Sequence, residues 1–355
     1  MKKHLIGLLL TLSLVSCNQK TNSDSLNNAF YYWKSNPSDL NDDQLQANLK
    51  QTNVSKIYVK LFEVDYLETV GNTPIDKINH LNKDFYQSNA IEIVPTIFIN
   101  NNIFQYNTKQ SLNTLADNIV FLINKRFQES ISYTDNTKPL EFKEIQIDCD
   151  WTKSTQKDYF YLLEQIKQKA KKTISCTLRL YAYKYPNLMG VPPADKAMLM
   201  CYNLVKPLSN QNINSIFDLA EFKKYINKTN TYPLSLDVAL PIFNWALHYQ
   251  NNTFKGLVYF NKNQIKEVTK PIKPMWYEFT KDFNPEYQQY YRVGDLIKFE
   301  EVTTTDLQQI AQILKKYKIT NKNSTISLFH LDHNTFYNFT TNEISTIYNH
   351  FHINN

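Results

Sequence analysis

Eight short apolar runs, most of them separated by a helical pattern, constrain this chain more than anything else in it. The runs are AFYYW (29–33), KIYVKLF (56–62), IEIVPTIFI (91–99), EIQIDCDW (144–151), TISCTLRLYAY (173–183), AMLMCYNL (197–204), PLSLDVALPIF (233–243) and TISLFHL (325–331). Helical periodicity occupies 41–50, 75–88, 110–128, 155–171, 215–227, 304–317 and 342–350. Strands that alternate with helices pair in parallel through right-handed crossovers, and eight such units predict an α/β chain closed as a (β/α)8 TIM barrel over 29–355. An open doubly wound sheet is the alternative, but it asks for a Gly-rich first turn, and Gly is only 5 of 355 residues. The link from about Leu247 to Thr304 is too long for a simple crossover. Within it GLVYF and RVGDLIKFE read as extra strands, an insertion after the seventh strand placed over the barrel mouth.

Ahead of the barrel, Met1 to Ser16 carries Lys2 and Lys3, the apolar run LIGLLLTLSLV and a small residue before Cys17. This is the pattern of a secretion signal, and its apolar run is too short to span a bilayer comfortably. LVSC resembles the lipobox of bacterial lipoproteins. The resemblance implies that residues 1–16 are removed, that Cys17 is lipidated, and that 17–28 form a polar tether. Asn18 after the cysteine favours the outer membrane, so the expectation is an envelope protein held to the membrane by lipid.

The other cysteines, Cys149, Cys176 and Cys201, are odd in number and sit inside apolar runs, so no disulfide framework is visible. Metal-ligand spacing is missing as well, since the seven histidines form no H-x-x-x-H pair. The one tight His/Asp group, HLDH (330–333), reads as strand-end residues that are structural or touch a ligand. With no Gly-rich phosphate loop, neither a metal nor a cofactor is expected. The net charge of +6 is scattered, and its one compact run, KQKAKK, ends a helix, where cations favour the C-terminal dipole. Nucleic acid is not indicated.

Alternation says which side chains enter the barrel. In the fourth strand Gln146, Asp148 and Asp150 lie opposite Ile145, Ile147 and Cys149, so the polar set points inward and the apolar set meets the helices. The fifth strand puts Ser175, Thr177, Arg179, Tyr181 and Tyr183 on its inner face, and the seventh puts Ser235 and Asp237 there. Buried carboxylates need partners, so an Asp148–Arg179–Asp237 network is expected, either as support for the barrel or as part of a site. Asp150 lies nearer the C-terminal strand end, where barrel enzymes keep their chemistry.

The fourth-strand stretch IDCDWT resembles the D-x-x-D-x-D-x-E motif of family 18 glycoside hydrolases, the chitinases and endo-β-N-acetylglucosaminidases. Asp148, Asp150 and Trp151 fall on matching positions, while Ile145 replaces the first aspartate and Thr152 replaces the glutamate that protonates the leaving group. MCYN in the sixth strand is similar to M-x-Y-D/N, matching Met200, Tyr202 and Asn203, and LDVALPIF in the seventh resembles L-x-L-G-x-P-x-Y through Pro241 and Phe243. The resemblance implies a glycan or oligosaccharide ligand, with Asp150 and Tyr202 orienting the N-acetyl group that attacks the anomeric carbon. With Thr152 unable to donate a proton, two readings stay open. Either the floor binds sugar without cleaving it, or another carboxyl supplies the acid, the candidates being Glu63, Asp65 and Asp150 itself. Glu63 and Asp65 read equally well as a solvated pair.

Aromatic side chains crowd the same expected mouth: Trp33, Trp151, Tyr181, Tyr183, Trp245 and Trp276. Flat rings with polar tips suit the C–H faces of sugars, although each could be core. The reading is therefore a lipid-anchored glycosidase-like barrel with Asp148 and Asp150 as catalytic candidates. Its ligand would be held by Trp151, Arg179, Tyr181, Tyr202, Asn203, Asp237, Trp245, Glu63 and Asp65. A non-catalytic carbohydrate-binding lipoprotein and a barrel of unrelated chemistry are the rivals.

Overall fold

The computed structural model describes residues 26–134, 138–209, 211–229, 232–259, 262–285, 289–332 and 334–352. The leader, Cys17 and His333 lie outside the described residues. Eight parallel strands, called one to eight below, are Asn27–Tyr32, Val54–Leu67, Glu92–Ile99, Glu144–Asp148, Thr173–Arg179, Lys196–Met200, Ser235–Pro241 and Thr325–Phe329. Each pairs with its neighbours in chain order, and strand one pairs with both strand two (Phe30 beside Ile57) and strand eight (Ala29 beside Ser327), which closes the barrel.

The outer helices form for reasons visible in their sequences. Thr304–Lys316 buries Leu307, Ile310, Ala311 and Leu314 on one stripe, and its start is fixed by reciprocal Thr303 and Asp306 side-chain bonds. Lys109–Gln128 does the same with Leu112, Leu115, Ala116, Ile119 and Ile123 behind a Thr108 cap. Asp43–Gln51, Gln156–Ala170 and Thr341–His352 complete the main outer layer. Among the described residues no helix is long and apolar enough to cross a membrane. Cys149, Cys176 and Cys201 are buried free thiols.

Several elements end earlier or later than their sequence patterns predict. Strand two continues to Leu67 and doubles back through the antiparallel Gly71–Ile75, with Gly71 at φ +78 supplying the turn. The helix expected over 75–88 is thereby reduced to Lys83–Ser88. Strand five stops at Arg179, because the next residues turn into the helix Leu180–Lys184, which buries Leu180, Ala182 and Tyr183 together. Strand six stops at Met200, and the helix expected over 215–227 spans only Leu219–Tyr225.

The insertion after strand seven is a five-stranded antiparallel sheet. Its strands are ordered Thr253–Val258, Trp245–Gln250, Leu296–Glu300, Trp276–Phe279 and Thr269–Lys273. It has its own apolar cores, one built on Ala246, Val258, Phe279, Tyr291, Ile297 and Phe299 and one on Leu247, Tyr249 and Trp276.

Candidate functional site

The barrel interior is polar from the bottom upward, and its deepest charged groups pair with one another. In the lowest layer Lys196 Nζ lies 2.8 Å from both Glu144 Oε2 and Asp237 Oδ2, and Lys56 Nζ lies 3.4 Å from Glu144 Oε2. The Thr325 backbone N–H donates to Asp237 Oδ1 at 2.7 Å, and Ser175 Oγ donates to Glu144 Oε1 at 2.6 Å. Above them Tyr31 Oη donates to Gln146 Oε1 at 2.5 Å, and its ring stacks on Tyr58 at 5.0 Å. Above Gln146 lie the C-terminal ends of the strands.

There, at the C-terminal strand ends, a cavity of about 510 Å³ opens. Its described carboxyls are Asp148 and Asp150, and its basic groups are Arg179 and Lys206. Asp148 is 6% exposed and accepts a 2.6 Å hydrogen bond from Thr177 Oγ1. Burial raises its pKa to about 7; the Thr177 bond pulls the other way, the neighbouring Asp150 charge adds to the rise, and Arg179 opposes it. Asp150 is half-buried, with Arg179 Nε 2.8 Å from its Oδ1. Burial raises its pKa too, against the pull of Arg179. Tyr202 stands beside them, its hydroxyl buried and without a hydrogen-bond partner among the described residues. An unpaired buried hydroxyl costs about 1–3 kcal/mol, which a ligand hydrogen bond would recover. Burial, followed by the Asp148 charge, pushes its pKa well above that of free tyrosine, so it stays a neutral donor.

The walls are aromatic. Phe329, ending strand eight, lies 5.3 Å from the Tyr202 ring, 5.6 Å from Trp33 and 5.8 Å from Phe243. Trp33 carries Lys60 Nζ at 5.5 Å from its ring centre, a buried cation beneath a mouth residue. Trp245 is held from the insertion: its Nε1–H donates to Glu300 Oε2 at 2.7 Å, and Glu300 is itself buried with Lys298 Nζ at 2.5 Å. Asn203 reaches the cavity from a left-handed residue just past strand six, at φ +53. Tyr181 lines it from the helix after strand five and is 46% exposed.

The cavity therefore brings together Asp148, Asp150, Arg179, Tyr181, Tyr202, Asn203 and Trp245. Other candidates lie elsewhere. The expected Asp148–Arg179–Asp237 network does not form. Asp237 sits in the lowest layer on Lys196, and Arg179, at the end of its strand, is 54% exposed and turns to Asp150. Trp151 is not part of the cavity wall; with strand four ended at Asp148, its indole turns outward, stacks on Tyr159 at 5.2 Å and donates to the Met189 carbonyl at 3.2 Å. Tyr183 packs on Tyr232, and Trp276 belongs to a core of the insertion. Glu63 is bound by Lys60 Nζ at 2.6 Å, and Asp65 Oδ1 accepts from the Tyr66 backbone N–H at 2.7 Å; neither lines the cavity. Thr152 shares hydroxyl contacts with Ser154 at 2.8 Å and Thr155 at 3.2 Å and lines a neighbouring depression.

Phe98, Phe329, Lys206 and Tyr225 line the cavity without having been expected there. For Phe329 the signal was available, since alternation in TISLF puts it on the same face as Ser327, which is fully buried in the barrel. Among the described residues no group of three His, Cys, Asp or Glu side chains could hold a metal ion.

No protein-family model matches the chain, and no curated protein matches it in sequence. Solved structures do match in fold. A chitinase from Chromobacterium violaceum superposes with a TM-score of 0.54 and 9% identity, covering 93% of this chain and 100% of the other. A chitinase from Bacteroides thetaiotaomicron gives 0.53 and 9%, covering 93% and 99%. The resemblance read from strands four, six and seven thus extends to the architecture, and this chain has the (β/α)8 fold that those chitinases have.

Proposed function

We propose that this protein binds a glycan in the cavity above Asp148, with an N-acetylated sugar seated among Trp33, Tyr202, Trp245 and Phe329. The buried, unpartnered Tyr202 hydroxyl carries this reading, because it stands beside two carboxyls at the floor of an aromatic chamber and finds no hydrogen-bond partner among the described residues. Asp150 accepts from the sugar amide N–H, Tyr202 donates to the amide oxygen, and the rings cover the C–H faces. Thr152 cannot donate a proton, and Arg179 is 2.8 Å from Asp150, so binding without cleavage is the favoured function. Calorimetric titration with N-acetylglucosamine oligomers should detect binding that Tyr202→Phe weakens about 5–10-fold, the value of one hydrogen bond. Absence of binding across oligomer lengths would overturn the proposal.

A second reading, hydrolysis, is favoured by one observation. Burial pushes the Asp148 pKa up to about 7, while at its neighbour Asp150 burial is opposed by the pull of Arg179, unequal surroundings of the kind acid–base pairs use. Release of reducing ends by the wild type, lost in Asp148→Asn, would establish it.

We also propose that Cys17 is a lipid anchor tethering the barrel to the cell envelope, supported by the LVSC stretch and the apolar leader. Processed Cys17→Ser protein should move from the membrane fraction to the soluble one with its melting temperature unchanged. Continued membrane partitioning of that variant would refute the anchor.

A further inference from the structure

The site extends past the cavity. A depression of about 450 Å³ lies beside it, lined by Trp151, Thr152, Lys153, Ala182, Leu188 and Met189. Arg179 and Tyr181 line both spaces, so they form the ridge between them. The depression is largely apolar, and its charged groups are two cations, Lys153 and Arg179, with no carboxylate. The ridge is well placed to receive a ligand, since Tyr181 is 46% exposed and packs against Tyr185 at 4.9 Å.

Arg179 is the decisive group. Its Nε is engaged 2.8 Å from Asp150, and its side chain is 54% exposed. Its guanidinium has no second acceptor among the described residues. The ion pair engages Nε, and Arg179 also lines the depression, so its terminal N–H groups can be offered to a ligand there. Such a fork fits the two oxygens of a carboxylate.

We propose that the glycan bound here is acidic: a sugar in the depression carries a carboxylate that pairs with the Arg179 fork, with Lys153 adding charge from the far side. This rests on the glycan reading above and names its ligand class. A neutral N-acetylglucosamine polymer would leave the fork unused, whereas a polymer alternating N-acetylated and carboxylated sugars fills cavity and depression together. A uronate at C6 and a lactyl ether at C3 both present such a carboxylate, and the two are distinguished by trial.

The test compares three tetrasaccharide probes by calorimetry at low salt: an N-acetylglucosamine oligomer, an alternating N-acetylglucosamine/N-acetylmuramic acid oligomer, and a hexuronate-containing oligomer. Each acidic probe is also measured as its methyl ester. At least one acid should bind 10-fold or more tightly than its own ester, and the advantage should shrink at high salt. Arg179→Gln should bring the acid-to-ester ratio close to one, Arg179→Lys should leave it intermediate, and the exposed Lys153→Gln should lower it about 2–3-fold. If neutral oligomers bind and neither acid exceeds its ester, the acidic-ligand inference is wrong while the glycan reading stands. If no probe of any kind binds, both fail.

Discussion

A Lys196→Met protein is expected to lose about 3–5 kcal/mol of folding stability, the cost of leaving buried carboxylates without their cation. Lys196 is the hub of the lowest barrel layer, 2.8 Å from Glu144 and from Asp237, whose side chains are 4% and 5% exposed. Glu144 would keep Lys56 at 3.4 Å, but Asp237 would keep only neutral donors, the Thr325 backbone N–H and the Tyr58 hydroxyl. Lys56→Met should therefore cost less. Burial alone would lower the lysine pKa, but the charges of Asp237 and Glu144 outweigh it and the net shift is upward. A lysine raised on folding contributes stability that is complete below its unfolded pKa of about 10.4 and disappears only as pH rises through the folded value. The loss in Lys196→Met should accordingly be the same at pH 6 and pH 8. Denaturant unfolding measures it, and an unchanged midpoint would mean that the layer is not a buried ion cluster.

That cluster also shows where sequence reasoning stopped. The alternation of Ile145 and Ile147 with Gln146 and Asp148 was enough to place the polar row inside, and Asp237 was rightly turned inward. Its depth was not legible, because depth depends on register between strands. Strand seven sets Asp237 beside Met198, one inward step along from the Lys196 pair, and the Lys196 ammonium reaches it at 2.8 Å. Lys56, Glu144 and Lys196 escaped notice for a related reason: a charged residue at the start of a strand looks solvated unless the barrel is known to be polar at its base. The Asp148–Arg179–Asp237 network did not form because Arg179 is the last residue of its strand and turns to Asp150, while Asp237 pairs with Lys196. The cavity walls drawn from the insertion, above all the Trp245–Glu300 hydrogen bond spanning 55 residues, had no local pattern to announce them.

The opposite change in stability is expected at the mouth. Asp148 is 6% exposed and its pKa rises to about 7, so the folded chain prefers the neutral acid. A carboxyl with a raised folded pKa lowers stability progressively as pH climbs from its unfolded value near 4 to its folded value near 7, after which the cost is constant. Ionising a carboxyl held neutral up to about pH 7 costs on the order of a few kcal/mol at pH 8. Asp148→Asn removes the charge, keeps an oxygen to accept the Thr177 hydroxyl, and should be more stable than wild type by up to that amount at pH 8, with little difference at pH 4. The wild type should show a falling stability between pH 4 and 7 that the variant lacks. A barrel that retains so costly a group gains nothing in folding from it, which is the pattern of a residue held for binding or chemistry. The same variant should therefore bind N-acetylglucosamine oligomers less well while melting higher. Equal stability of the two proteins at pH 8, or a wild-type stability that rises from pH 4 to 7, would show that Asp148 is solvated rather than held in a dry floor of the cavity.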